Sequence, residues 1–291
     1  MRRYIVDMDA PAADLAHRLV EAIRPLGRCI VAYSGGVDSA VVAYAAHAAL
    51  GDGALAITGS SASLASGELD GAIRIAQAIG IQHETLATDE LADPQYLRNA
   101  PDRCFHCKTE LYSKLEQEAT RRGIEFILNG ANVDDLGDFR PGMKAASQHR
   151  VRSPLADCGL DKNAVRALAK HWGIEIWDKP ATPCLSSRLA YGVAVSPERL
   201  SMIDQAEAAL RTLGFGNLRV RLHENDLARL ELSLADLARM ADAQLRSDVA
   251  AELRRIGFRY VTLDLEGFRS GSFQQLVPME ELTRFSQPSR A

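Results

Sequence analysis

Along the first part of the chain the apolar positions alternate between two spacings. Short runs at Ile30–Ala32, Ala54–Thr58, Gln82–Leu86 and Phe126–Asn129 have the length and flanking turn residues of strands. Between them apolar residues recur every three or four positions, as one face of a helix requires. Leu15, Leu19, Val20 and Ile23 mark such a face within Pro11–Arg24. Ala40–Leu50 follows the first strand, Leu69–Ile79 ends at Gly80, and Thr109–Arg121 ends before Gly123. Asp161–Trp172 adds a helix with Asp161 as its cap. This alternation predicts an α/β fold, a parallel sheet with helices on both faces. Such sheets bind ligands beyond the carboxyl ends of their strands, where Tyr33, Gly59, Asn129 and Gly130 fall.

A second pattern follows. Asp178–Ala194 has no periodicity and carries Pro180, Pro183 and Gly192, so it reads as a loop and a domain boundary. Beyond it, Pro197–Leu213 is helical, and Asn217–Leu222 and Ala228–Leu232 alternate like strands. Asp242–Ile256 is a helix stopped by Gly257, and Arg259–Leu263 is a last strand. That order predicts a smaller C-terminal α+β domain. The expected division is residues 1–180 and 181–291.

Composition narrows the partners. With 47% hydrophobic and 25% charged residues among 291, the chain can bury a sizeable core in one large or two small domains. A net charge of −4 supplies no overall basic field, so no nucleic-acid partner is expected. No apolar run is long enough to span a bilayer, and MRRYIVDMDAPAADL lacks the apolar centre of a signal peptide; the expected location is the cytoplasm. Five cysteines, an odd number in that compartment, argue for thiol or metal chemistry over a disulfide framework. Of these, Cys29 and Cys158 read as bystanders in a strand and a loop.

Three stretches carry candidate chemistry. In Tyr33-Ser34-Gly35-Gly36-Val37-Asp38-Ser39 a strand gives way to a glycine turn and a helix start. Glycines let the backbone approach a phosphate, and the amides and dipole of the first helical turn favour its charge. Ser34 and Ser39 add hydroxyl donors, and Asp38 can hold a cation such as Mg²⁺ that screens the phosphates. Gly59-Ser60-Ser61, ending the next strand, suits the base or ribose edge of a nucleotide. The pair Cys104 and Cys107 in RCFHCK fits half a zinc site, two ligands of an iron–sulfur cluster, a redox dithiol, or residues simply packed at a helix start. Arg103 and Lys108 beside them are candidate anion contacts. Finally, KPATPCLSSR presents Cys184 between prolines, hydroxyls and Arg188, conditions that favour a reactive thiolate, although a buried loop cysteine fits the same residues.

SGGVDS resembles the pyrophosphate loop of the PP-loop ATP pyrophosphatases, which implies a PP-loop (HUP-like) fold, ATP and Mg²⁺ as cofactors, and adenylylation of a substrate oxygen with release of pyrophosphate. KPATPCLSSRLAYG, taken with RCFHCK, DDLGDFRPG (Asp134 to Gly142), LRVRLH and LDLEGFRSGS, resembles the LarE-type sulfur transferases. The resemblance implies a pyridinium mononucleotide carboxylate as substrate, in nickel-pincer cofactor biosynthesis. Cys184 would be the sulfur donor and would be left as dehydroalanine. It further implies that Arg219 and Arg221, which alternate onto one face of a strand, bind a substrate phosphate with Glu207 and Glu231 nearby. The register around His223 to Asp226 is shifted by one residue, which bears on Glu231. Arg188, Arg140 and Lys144 are further candidates for anions, and the family implies a homo-oligomer. Some relatives hold an iron–sulfur cluster on three loop cysteines; this loop has Cys184 alone, which favours the sacrificial route. Two rivals stay open: a tRNA-thiolating PP-loop enzyme with a cluster on Cys104, Cys107 and Cys184, and a nucleotide sensor without chemistry.

Overall fold

A computed structural model describes residues 11–136 and 141–269. Helix α1 (Ala12–Ile23) leads to β1 (Cys29–Ala32), α2 (Val37–Leu50), β2 (Ala54–Ser60), α3 (Glu68–Ile79) and β3 (Gln82–Ala87). A short α4 (Pro94–Leu97) precedes the long α5 (Arg103–Arg122) and β4 (Phe126–Leu128). The chain continues through α6 (Pro141–Gln148), α7 (Pro154–Asp157) and α8 (Lys162–His171). The remainder comprises α9 (Pro197–Thr212), β5 (Leu218–His223), β6 (Leu227–Leu232), α10 (Leu234–Arg239), α11 (Ala243–Ile256) and β7 (Tyr260–Leu263).

The first four strands form one parallel sheet in the order β3-β2-β1-β4. Their alternation divides the apolar side chains between two cores. Cys29, Val31, Ala54 and Ala56 pack toward α1, α2, α3 and α8, whereas Ile30, Leu55 and Ile57 pack toward α5 and α6. Helix α2 is apolar on nearly every side and is buried accordingly, from Val37 to Ala46. The order places β1, with the phosphate turn at its carboxyl end, between β2 and β4 in mid-sheet.

A second sheet, β5-β6-β7, pairs β5 with β6 antiparallel and β6 with β7 parallel. Leu218, Val220 and Leu222 face a third core against α9 and α11. Arg219, Arg221 and His223 therefore share the other face. The third core also includes Tyr96 of α4, with Leu97 and Cys107 packed against it, so the second sheet is fastened to the turns around RCFHCK. Among the described residues no helix is long and apolar enough to cross a membrane.

Two expectations need correction. The expected helix Thr109–Arg121 begins six residues earlier, at Arg103, so RCFHCK occupies its first turns. The expected loop Asp178–Ala194 contains a 3₁₀ turn at Leu185–Arg188 and a bridge from Leu189 to Leu222. Arg140, with much of DDLGDFRPG, and the end of LDLEGFRSGS lie outside the described residues.

Candidate active site

The phosphate turn is folded by its own small groups. Gly35 has φ 71°, and a Cβ there would fall 2.7 Å from the Ala72 Cβ of α3, so both backbone conformation and space require glycine. Ser39 Oγ donates to Gly36 O at 3.0 Å, accepts the Ser34 amide at 3.2 Å and lies 3.1 Å from Ser34 Oγ. Gly36 caps α2, and the first-turn amides of that helix have no intrahelical acceptor. Gly130, just beyond β4, packs against this turn so closely that a Cβ would sit 2.7 Å from the Ser39 amide. Asp38 is held from two sides, by Asn132 Nδ2 at 3.0 Å and by the Lys162 ammonium. Ser60 closes β2 on the neighbouring strand, its carbonyl accepting the Thr88 amide at 3.0 Å.

The cysteine loop is held differently, by side chains from distant parts of the chain. Arg188, 1% exposed, pairs with Glu207 of α9 at 3.1 Å and donates to the carbonyls of Pro183 and, at 2.8 Å, Cys184. The Leu185 amide donates to Ser63 O at 2.8 Å, and the Tyr96 hydroxyl lies 2.6 Å from Ser186 Oγ. Arg103 donates to Ser186 O at 2.6 Å and to the Asn99 side chain. Lys179 reaches Glu68 of α3 at 2.9 Å. These contacts suspend Cys184, itself partly exposed, between the carboxyl ends of the first sheet and the polar face of the second. Arg103 and Arg188, expected to meet substrate anions, spend these donors on the loop and act as its pins.

The polar face of the second sheet carries the remaining candidates. Arg221 pairs with buried Glu231 at 2.8 Å and donates to Ser187 O at 2.8 Å. Glu231 also receives Arg229 at 3.1 Å. Arg219 lies against the loop carbonyl of Ala181 at 3.2 Å and over the Phe268 ring at 5.2 Å, but has no carboxylate ion-pair partner among the described residues. Burial, reinforced by Arg188 and Arg221, brings its guanidinium down to about 10. A charge so crowded by like charges is one that an anion would relieve. Lys144, also expected at an anion, sits 5.9 Å from the Phe105 ring.

The thiols at α5 lie near this loop. Cys104 is exposed, while burial pushes the Cys107 thiol up to about 12 against the opposing charge of Lys108; Cys104 and Cys184 are close enough to add to that rise. A metal or cluster needs thiolates grouped at one point. Among the described residues no three His, Cys, Asp or Glu side chains are so grouped.

No family model matches the chain. An uncharacterised protein of Synechocystis sp. is 43% identical over 252 residues, covering 87% of this chain and 94% of that one. The pyridinium-3,5-bisthiocarboxylic acid mononucleotide synthase of Lactiplantibacillus plantarum is 38% identical over 270 residues, 92% of this chain and 96% of that protein. The chain belongs to the LarE family. A more distant likeness, 28% over 217 residues and 59% of this chain, links it to the tRNA-specific 2-thiouridylase MnmA of Maricaulis maris, a PP-loop relative covered over 53% of its length.

Within this LarE-type chain, sequence reasoning missed Lys162, Asn132, Tyr96 and Glu90. Lys162 and Asn132 had no signal, since their meeting with Asp38 depends on the order of strands. Glu90 had a weak one, an acid three residues beyond the end of β3, at the edge where ligands bind.

Proposed function

We propose that the chain is an ATP-dependent sulfur transferase acting on a pyridinium mononucleotide carboxylate, as the name of its Lactiplantibacillus relative suggests. The substrate carboxylate attacks the α-phosphate of ATP, and pyrophosphate leaves into the turn of Ser34, Gly35, Gly36 and Ser39, with Ser60 beside the nucleoside. Mg²⁺ carried in with ATP would neutralise phosphate charge, and Asp38 is the residue placed to meet it, exchanging its contact with Lys162. Cys184 thiolate attacks the acyl carbon and expels AMP, forming a thioester. Loss of the Cys184 α-proton then breaks the Cβ–Sγ bond, releasing a thiocarboxylate and leaving dehydroalanine. Arg219 and Arg221 hold the substrate phosphate; Arg188, Glu207 and Glu231 hold those arginines and the loop in place.

The observation that supports this reading is the anchoring of the Cys184 loop to Ser63, just beyond the carboxyl end of β2, and to Arg103, Arg188 and Arg221. Residues 1–180 form the nucleotide domain and 181–291 the sulfur-donor and assembly domain in this scheme. The protein works in the cytoplasm without nucleic acid, as a homo-oligomer joined through exposed Leu234, Tyr260 and Leu265. The test is stoichiometry. Purified protein is incubated with ATP, Mg²⁺ and pyridinium-3,5-biscarboxylic acid mononucleotide. At most one thiocarboxylate per chain is expected, with AMP and pyrophosphate in step. Many turnovers per chain would support a cluster enzyme instead, and nucleotide binding with no product would support a sensor.

A further inference from the structure

Glu90 opens the turn between β3 and α4 and is 2% exposed. One carboxylate oxygen, Oε1, accepts Ser61 Oγ at 2.5 Å and Ser63 Oγ at 2.8 Å. The other, Oε2, is fully buried and has no hydrogen-bond partner among the described residues. No cation forms an ion pair with it there either. Leaving a buried acceptor unsatisfied is costly, and most native structures avoid it. An acceptor kept in that state is available to a proton donor that arrives later.

The neighbourhood indicates which donor. The Ser63 carbonyl that accepts the Leu185 amide belongs to the same residue whose hydroxyl holds Glu90. Two hydrogen bonds thus connect the carboxylate to the residue directly after Cys184. Glu90 and Cys184 also act on the same two groups, the Tyr96 hydroxyl and the Cys107 thiol. The carboxylate therefore belongs to the wall against which the cysteine loop is held.

We propose that Glu90 is the general base that removes the Cys184 α-proton once the thioester has formed, an inference that rests on the sulfur-transfer reading above. The proton passes from Cα to Glu90 Oε2, leaving a carboxylic acid. The electron pair of the Cα–H bond becomes the Cα=Cβ bond, and the Cβ–Sγ pair departs on sulfur as the thiocarboxylate. No oxidant or reductant is consumed. Ser61 and Ser63, both donating to Oε1, keep Oε2 free for the transfer and fix its direction.

Single-turnover experiments with Glu90→Gln and Glu90→Asp separate the steps, using ATP, Mg²⁺ and pyridinium-3,5-biscarboxylic acid mononucleotide. Glu90→Gln keeps the shape and loses the base. It is expected to release AMP within a few-fold of the wild-type rate and to accumulate protein heavier by the acyl group, while dehydroalanine formation falls by about 100-fold or more. Glu90→Asp, which retains a carboxylate, is expected to recover part of the elimination. Parallel loss of AMP release and elimination in both variants, or elimination at the wild-type rate in Glu90→Gln, would overturn the assignment. Failure of the wild type itself to form dehydroalanine would instead count against the sulfur-transfer reading beneath it.

Discussion

The two loops of the site are built on opposite principles. The backbone of the phosphate turn is closed by neighbours in sequence, Ser34, Gly36 and Ser39 bonding one another, and its close fit depends on the absence of side chains at Gly35 and Gly130. The cysteine loop is closed from afar, by Ser63, Glu68, Tyr96, Arg103 and Glu207, of which Ser63 lies 122 positions from its partner Leu185. On the proposed reading, a turn that serves one ligand, pyrophosphate, can be a local and rigid unit. On that reading, too, a loop that presents sulfur to an activated acyl group is adjusted by many distant side chains, so that its geometry can be altered without touching ATP binding.

The largest expected break in that comparison is at Arg188. Replacing it by Met leaves Glu207, 1% exposed, with only the half-exposed Arg211 as ion-pair partner and strips the donor from the Pro183 and Cys184 carbonyls, a combined loss of about 3–5 kcal/mol. Chemical denaturation should show that loss, and pairing Arg188→Met with Glu207→Leu should restore much of the stability without restoring sulfur transfer. Next is Gly130→Ala. The added Cβ meets backbone of the phosphate turn at 2.7 Å, which cannot yield as a flexible side chain would. AMP formation is expected to fall about 100-fold through misplacement of the turn, while alkylation of Cys184 proceeds unchanged.

A smaller effect separates the two arginines of β5. Arg219 has no carboxylate ion pair among the described residues, so Arg219→Ala should leave stability nearly intact and raise the substrate concentration for half-maximal single-turnover rate about 10- to 100-fold, as loss of one charge-assisted contact predicts. Arg221→Ala should lower stability as well, since it removes a partner of buried Glu231.

The last expected effect, confined to alkaline pH, is a pH dependence. Burial raises Cys29 and Cys107 from 9.0 to about 12 in the folded chain. Above pH 9 the unfolded chain releases these protons while the folded chain keeps them, so stability present below pH 9 declines steadily toward pH 12. Denaturation midpoints across that range check the sign, and replacing Cys107 by Ala should flatten the decline.

The same contrast explains what could be read from the residues alone. The parallel sheet was legible because its strands are short apolar runs between amphipathic helices, and the phosphate turn because its chemistry is contiguous. The start of α5 was not. Its first turns carry Arg103, Cys104 and Lys108 in place of an aliphatic stripe; Arg103 bonds the cysteine loop and Cys107 packs against the third core rather than the sheet core. Arg188 was legible as a cation near Cys184, but its buried pairing with Glu207 depends on how α9 docks, which no spacing records. Glu90 and Lys162 matter only through neighbours that the fold supplies.

The central claim is that Cys184 gives up its own sulfur. Its most direct test is the mass of the intact chain after one turnover with ATP, Mg²⁺ and pyridinium-3,5-biscarboxylic acid mononucleotide, with the modified position mapped by peptide fragmentation. The account predicts a loss of about 34 Da, the mass of hydrogen sulfide, confined to Cys184. Thiocarboxylate product from a chain whose mass at Cys184 is unchanged would contradict it.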